Sequence, residues 1–268
     1  MEPRANVLKT DWRDGVLHLR LNRPKAHNAL DEDLIEALHA AFAPGSKSPA
    51  RVLVLSGEGK SFCAGADVAF MRRQGEASLE ENERSALRLA DLFARITTLA
   101  IPVVARVQGA AVGGGVGLVA ACDIAVAAES ASFTLAEVRL GLVPAVISPY
   151  LVRRIGLGRT RELVLTGRRI DAATALRLGL VDSVVPEAQL DRAVDDVVRD
   201  LKAGGPQALA RAKRLLAEVE GALHEAPEKL RSLTARHIAE ARLGEEGQAG
   251  LAAFLEKKPP PWAPGGSG

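Results

Sequence analysis

Three rhythms of apolar residues run along the chain. In VLHLRLN (16–22) they alternate, with Leu17, Leu19 and Leu21 on one side and His18 and Arg20 on the other, as in a half-buried strand. After the loop RPKAHNALD, Leu34, Ile35, Leu38 and Phe42 recur at helical spacing behind Asp31, a good N-cap, which predicts an amphipathic helix. RVLVLSG (51–57) is an unbroken apolar run ending in turn residues and reads as a buried parallel strand. A polar helix is expected around 79–98 and a third strand in IPVVARVQG (101–109). The glycines that follow open a helix, and CDIAVAAE and ASFTLAE supply two more strands. Strand, loop, helix and strand in this order imply a layered α/β fold of βαβ type.

From about residue 160 the rhythm changes. RTRELVLTG, DAATALRLGL and PQALARAKRLLAEVEGAL are helical by period, and only VDSVVP is strand-like. The expected organisation is an α/β core over residues 1–165 and a helical C-terminal region over 166–268, with Leu- and Ala-rich faces offered to another subunit. The tail PPPWAPGGSG suits neither helix nor central strand.

Composition narrows the class. The 268 residues are 47% apolar and 25% charged, as in ordinary globular proteins, but only 3% aromatic, so the core must be built from Leu, Val, Ile and Ala. A net charge of +2 gives no reason to expect nucleic acid or an anionic membrane as partner. No apolar run approaches the ~20 residues of a membrane span, and no secretory leader pattern opens the chain. Cys63 and Cys122 read as buried thiols of a reduced, cytoplasmic protein. The other reading, a thiol nucleophile, lacks a nearby His in sequence.

Four stretches carry candidate chemistry. GEGKS (57–61) is not a P-loop, because that pattern needs Gly at the position held by Val54. In SFCAGADVAFM (61–71), Gly65 lets the backbone approach a ligand closely. One reading is a backbone N–H aimed at an anionic oxygen, and the other is a strand-to-helix turn capped by Asp67. VGGGVGL (112–118) also follows a strand and opens a helix, where unpaired N–H groups and the helix dipole favour an anion. Two glycine-lined backbone sites after two strands suggest paired donors for an oxyanion, and close helix–strand packing is the alternative. No charged residue occurs from Gly109 to Cys122, so an acid must come from elsewhere. Glu137, in the apolar stretch FTLAEVRLGLVPAV (133–146), is placed to be desolvated and to transfer protons. Otherwise it is a structural partner of Arg139 or Arg153.

Taken together, LHLRLNRPKAHNALD, VLVLSGEGKSFCAGAD, PVVARVQGAAVGGGVGLVAACDIAVAAESASF, EVRLGLVP and FLEKKPPPW resemble the crotonase superfamily of enoyl-CoA hydratases and isomerases, in order and spacing over nearly the whole chain. The resemblance implies an α/β crotonase fold, a spiral of ββα units around two sheets, with C-terminal helices that assemble a homotrimer or hexamer. It implies an acyl-coenzyme A thioester as substrate, with no prosthetic group and no metal. The family's oxyanion hole matches the N–H groups of Ala66 and Gly114, and its proton-transfer carboxylate matches Glu137. Coenzyme A is expected along Lys25 and Ala26, the backbone of Ala66, Asp67, Val68 and Ala69, the Gly114 amide, and the late residues Phe254 and Lys257.

The match breaks at one position. Family hydratases carry a second glutamate two residues after the glycine triplet, and here that residue is Gly117. The run EVRLGLVPAVISPY is similar to bacterial 3-methylglutaconyl-CoA hydratases, which implies interconversion of 3-hydroxy-3-methylglutaryl-CoA and 3-methylglutaconyl-CoA in leucine degradation. Ser148, Tyr150, Arg72 and Arg73 are then candidates to meet a distal carboxylate, although a solvated surface role is the simpler reading for each arginine. Two alternatives remain open. One is a Δ3,Δ2-enoyl-CoA isomerase, which needs Glu137 alone. The other is a non-catalytic acyl-CoA-binding subunit.

Overall fold

A computed structural model describes residues 6–42 and 50–263. Its strands are β1 (Leu8–Arg13), β2 (Val16–Leu21), β3 (Val52–Gly57), β4 (Val103–Val107), β5 (Ala110–Val112), β6 (Ile124–Ala128), β7 (Ser132–Thr134), β8 (Arg169–Asp171) and β9 (Ser183–Val185). Its helices are α1 (Glu32–Ala41), α2 (Val68–Glu76), α3 (Leu79–Thr98), α4 (Gly114–Ala121), α5 (Ser148–Thr166), α6 (Ala172–Leu178), α7 (Leu190–Ala203), α8 (Pro206–Ala222), α9 (Pro227–Leu243) and α10 (Glu245–Leu255). The chain divides into two compact units: residues up to Thr97 with Val103–Val194, and Thr98–Pro102 with the residues from Asp195 onward.

The first unit holds both sheets. Six strands lie in the order β1-β2-β3-β4-β6-β9, antiparallel only between β1 and β2, and three lie in the order β5-β7-β8. The expected alternation of β2 is present: Leu17, Leu19 and Leu21 are buried and Arg20 is exposed. β3 is buried at every position, as an unbroken apolar run flanked by parallel strands should be. Asp31 caps α1 by accepting the Leu34 N–H at 2.9 Å, and Leu34, Ile35 and Leu38 face the core. Asp31→Ala is expected to cost about 1 kcal/mol of stability, read from the urea midpoint at unchanged slope.

The topology repeats. β4 joins the large sheet, β5 joins the small one, and α4 follows; β6, β7 and α5 do the same. The turn before them uses β3 and a single bridge, Cys63 to Ala111, in place of a second strand. Each turn of the spiral therefore places one segment in each sheet. Sequence reading misses the short members of this pattern, β5 and β8, because three residues carry too little periodicity to register.

The second unit is helical. Glu246 caps α8 by accepting the N–H groups of Gln207 (3.0 Å) and Ala208 (2.7 Å), and His237 meets Glu218 at 2.9 Å. Residues 259–263 are neither helix nor strand, as the prolines dictate, and 264–268 lie outside the described residues. Among the described residues no helix is long and apolar enough to cross a membrane, and no cluster of acidic, His or Cys side chains could hold a metal.

Candidate active site

The spiral sets three segments of the small sheet in one register: Cys63 pairs with Ala111, and Ala111 pairs with Phe133. Ala66 and Gly114 each follow their register residue by three positions, and Glu137 follows Phe133 by four. All three thus emerge past the same end of parallel segments, where successive turns converge. All three line one pocket, of about 1060 Å³ with its open mouth included.

The backbone donors are set by pairing on the opposite edge. Leu30 N–H donates to Gly65 O (2.7 Å), and Asp67 N–H donates to Leu30 O (2.9 Å). A parallel bridge of this kind uses the residues flanking Ala66, so the Ala66 N–H faces away from Leu30. On that other side, a Cβ at Gly65 would lie 3.3 Å from Gly114 N and 2.7 Å from Val112 O, so only glycine admits the approach. Gly114 is the first residue of α4, whose leading N–H groups have no intrahelical acceptor. Among the described residues, neither the Ala66 nor the Gly114 N–H has a hydrogen-bond acceptor. Two such N–H groups lining one pocket at the start of a helix suit an anionic oxygen.

Gly113 joins this site to the acid. Its N–H donates to Thr134 O at 2.8 Å, which ties α4 to the end of β7. Its φ of 49° is a left-handed conformation, and a Cβ there would stand 2.8 Å from Glu137 Oε1. Gly113→Ala is therefore expected to push the carboxylate out of place and, in steady-state kinetics, to lower kcat with little change in KM.

Glu137 opens a short 3-10 turn and is half-buried. Its Oε2 is shielded from solvent and has no hydrogen-bond partner among the described residues. Neither Arg139 nor Arg153 pairs with it, so the structural-partner reading falls. Burial raises its pKa, opposed by a hydrogen bond from its own backbone N–H. A carboxyl with a raised folded pKa binds its proton more tightly in the folded state. Its contribution to stability is then full below the ordinary value of 4.5 and is lost as pH rises through the raised one. Glu137→Gln is expected to be more stable than the parent at about pH 7, with the advantage gone at about pH 4, in urea titrations at both values.

The rest of the lining is apolar. Leu30, Ala64, Val112, Leu140 and Leu142–Ile147 make up much of it, with Met71, Ala86 and Leu89 added from α2 and α3. Glu137 is the one titratable side chain among the lining residues. Met71 and Leu89 escape sequence reading because each lies in an apolar run, VAFM and ALRLADLF, in which nothing along the chain marks the residue that faces the pocket. At Gly117, a Cβ would lie 2.9 Å from Ile147 Cβ and 3.1 Å from Phe93 Cε1, and closer still to Ile147 Cγ2. The space of a second acid at this position is occupied by hydrocarbon.

Other expected contacts lie outside the pocket lining. Asp67 caps α2 by accepting the Ala69 and Phe70 N–H groups, and its other oxygen takes the Arg23 guanidinium at 3.0 Å. Arg23 also bridges to Asp31 at 2.8 Å and donates to Ala29 O, clamping the two loops that flank Ala66. Val68 is exposed at the start of α2. Lys25 and Ala26 form a 3-10 turn whose backbone closes on Arg23 and Ala29. Phe254 and Lys257 belong to the second unit, where Phe254 is exposed on α10. Ser148 Oγ is spent on Ala145 O, Arg73 pairs with Glu32, and Tyr150 packs its ring on Phe93; none of these lines the pocket, nor does Arg72. Both cysteines are buried, and burial pushes the Cys63 thiol up to about 12, so it is no nucleophile.

Comparison with known proteins gives a consistent picture. Residues 11–265 match the family model described as Enoyl-CoA hydratase/isomerase. A crystal structure of an enoyl-CoA hydratase from Shewanella pealeana superposes with a TM-score of 0.91 at 38% identity, covering 96% of each chain. Enoyl-CoA hydratase ACTT6 from Alternaria alternata is 35% identical over 95% of this chain and 83% of its own length. Enoyl-CoA isomerase/hydratase fer4 from Mycosarcoma maydis is 35% identical over 74% of this chain and 76% of its own.

Proposed function

The chain belongs to the enoyl-CoA hydratase/isomerase family, and on that premise we propose that it is a hydro-lyase of acyl-coenzyme A thioesters with Glu137 as its single acid–base group. In this reading the Ala66 and Gly114 N–H groups hold the thioester oxygen as negative charge develops on it. In the dehydrating direction Glu137 takes the C2 proton and the C2=C3 bond forms from the enolate. The C3 hydroxyl leaves as water after receiving that proton from Glu137. Hydration is the reverse, and nothing is oxidised or reduced. The observation that carries this is the desolvated Glu137 carboxyl, its Oε2 without a hydrogen-bond partner, alone among apolar lining residues. A carboxylate kept dry at a cost in stability is hard to account for in a subunit that only binds acyl-CoA.

One carboxylate doing both jobs suits a C3–O bond that breaks readily, as at a tertiary carbon. The substrate class is therefore a 3-methyl-branched 2-enoyl-CoA. The likeness of EVRLGLVPAVISPY to 3-methylglutaconyl-CoA hydratases supports the branch, since Leu140 and Leu142–Ile147 from this run line the pocket. The distal carboxylate of 3-methylglutaconyl-CoA finds no cation among the lining residues. 3-Methylcrotonyl-CoA has the same branched C2=C3 unit and ends in a methyl group where the other carries its distal carboxymethyl. The expected result is a kcat/KM at least about tenfold higher for 3-methylcrotonyl-CoA. A preference for 3-methylglutaconyl-CoA would assign the leucine-degradation pair instead. The packing of Ile147 and Phe93 on Gly117 favours a second reading, an isomerase that moves a proton between C4 and C2 without water. Turnover of a 3-enoyl-CoA with neither branched substrate hydrated would establish it.

Coenzyme A would then run past Lys25, Ala26 and the Asp67–Ala69 backbone, with Phe254 and Lys257 of a neighbouring subunit as further contacts. The exposed Leu243, Phe254 and Leu255 support a homotrimer or hexamer, which light scattering reads directly.

A further inference from the structure

The pocket has one acid, and the structure contains a specific reason why it has no other. Gly117 lies on the buried face of α4, and Ile147 stands at the N-cap of α5, 3% exposed and lining the pocket. Any side chain at 117 meets Ile147 at 2.9 Å from its Cβ, and closer at Cγ2. It also meets Phe93, fully buried and backed by Tyr150 with ring centroids 5.5 Å apart. The two positions share one volume, so they can change only together. A larger residue at 117 requires a smaller one at 147.

We infer that Ile147, seated on Gly117, is the residue that decides which enoyl thioesters this protein hydrates. Its side chain keeps the pocket wall apolar and fills the volume that a proton donor at position 117, three residues past Gly114, would need. The enzyme is thereby confined to substrates whose C3 hydroxyl leaves with help from Glu137 alone. An unbranched 2-enoyl-CoA, whose product carries a secondary hydroxyl, is disfavoured by chemistry and not by size. This inference rests on the hydro-lyase reading above, and it assigns substrate choice within that reading to one packing pair.

The test compares crotonyl-CoA with 3-methylcrotonyl-CoA. Gly117→Glu together with Ile147→Gly frees the shared volume and puts a carboxylate in it, and Gly is well tolerated at an N-cap. The ratio of kcat/KM, unbranched over branched, is expected to rise by about tenfold or more. Gly117→Glu alone still faces Ile147 and is expected to give no such gain. Ile147→Ala provides an independent reading if the double variant does not fold. It widens the wall without adding an acid, so a 3-ethyl-branched substrate should gain about tenfold over the 3-methyl one. Ile147→Val keeps the Cγ2 methyl on Gly117 and should shift that ratio far less. Hydrogen–deuterium exchange at C2 of butyryl-CoA reports enolisation separately from hydration. Exchange intact with both ratios unchanged in folded variants overturns the role of Ile147. A parent protein without exchange overturns the hydro-lyase reading and this inference with it.

Discussion

Glu137→Gln is expected to lower turnover by about three orders of magnitude while a non-reacting acyl-CoA still binds with nearly its parental Kd. Glutamine keeps the shape of the carboxyl and removes its ability to take a proton. No other titratable side chain lines the pocket, so nothing nearby is placed to substitute. The same change relieves the burial of a desolvated carboxylate, so the inactive variant should be the more stable one at neutral pH. Loss of rate with a gain in stability separates a chemical role from a structural one, because a packing residue would lose both. In the parent, proton abstraction needs the ionised form. The rate should therefore fall on acidification through an apparent pKa above the ordinary 4.5. A pH profile of kcat with no such limb, or a Gln variant within tenfold of the parent, would reject the assignment.

Gly114→Pro is expected to reduce kcat by about 10²–10³, corresponding to roughly 3–4 kcal/mol of transition-state stabilisation. Proline is tolerated at the first position of a helix, and Gly114 is that position in α4. The substitution removes one N–H and places a ring methylene where the oxygen would sit. The helix loses no internal hydrogen bond, since this N–H has no acceptor among the described residues. Circular dichroism should thus stay at the parental level while turnover collapses. A kcat within about threefold of the parent would remove Gly114 from the site.

Most of the fold is legible in the sequence because its elements are long. β2, β3, α1 and α3 each carry enough residues for their period to show, and Asp31 marks the start of α1 by its capping chemistry. β5 and β8 are not legible, since they have three residues each and owe their state to neighbours in the small sheet, whereas the equally short β7 shows because it lies inside ASFTLAE. The site divides in the same way. Gly65, Gly113 and Glu137 stand out because glycine runs and an acid in apolar sequence break local expectations. The relation between Gly117 and Ile147 is invisible along the chain, because it is a shared volume between two helices thirty residues apart. Local pattern cannot report steric exclusion at that range.

The common register of residues 63, 111 and 133 has a consequence for how such a protein varies over time. In the mechanism proposed above, substrate anchoring belongs to peptide groups, which nearly every replacement leaves in place. Proton transfer belongs to a side chain on a separate turn, which a single base change can erase, restore or move. Random mutation therefore diversifies the reaction far more readily than it destroys recognition of the thioester. A gene encoding this architecture can keep one handle through many successive chemistries.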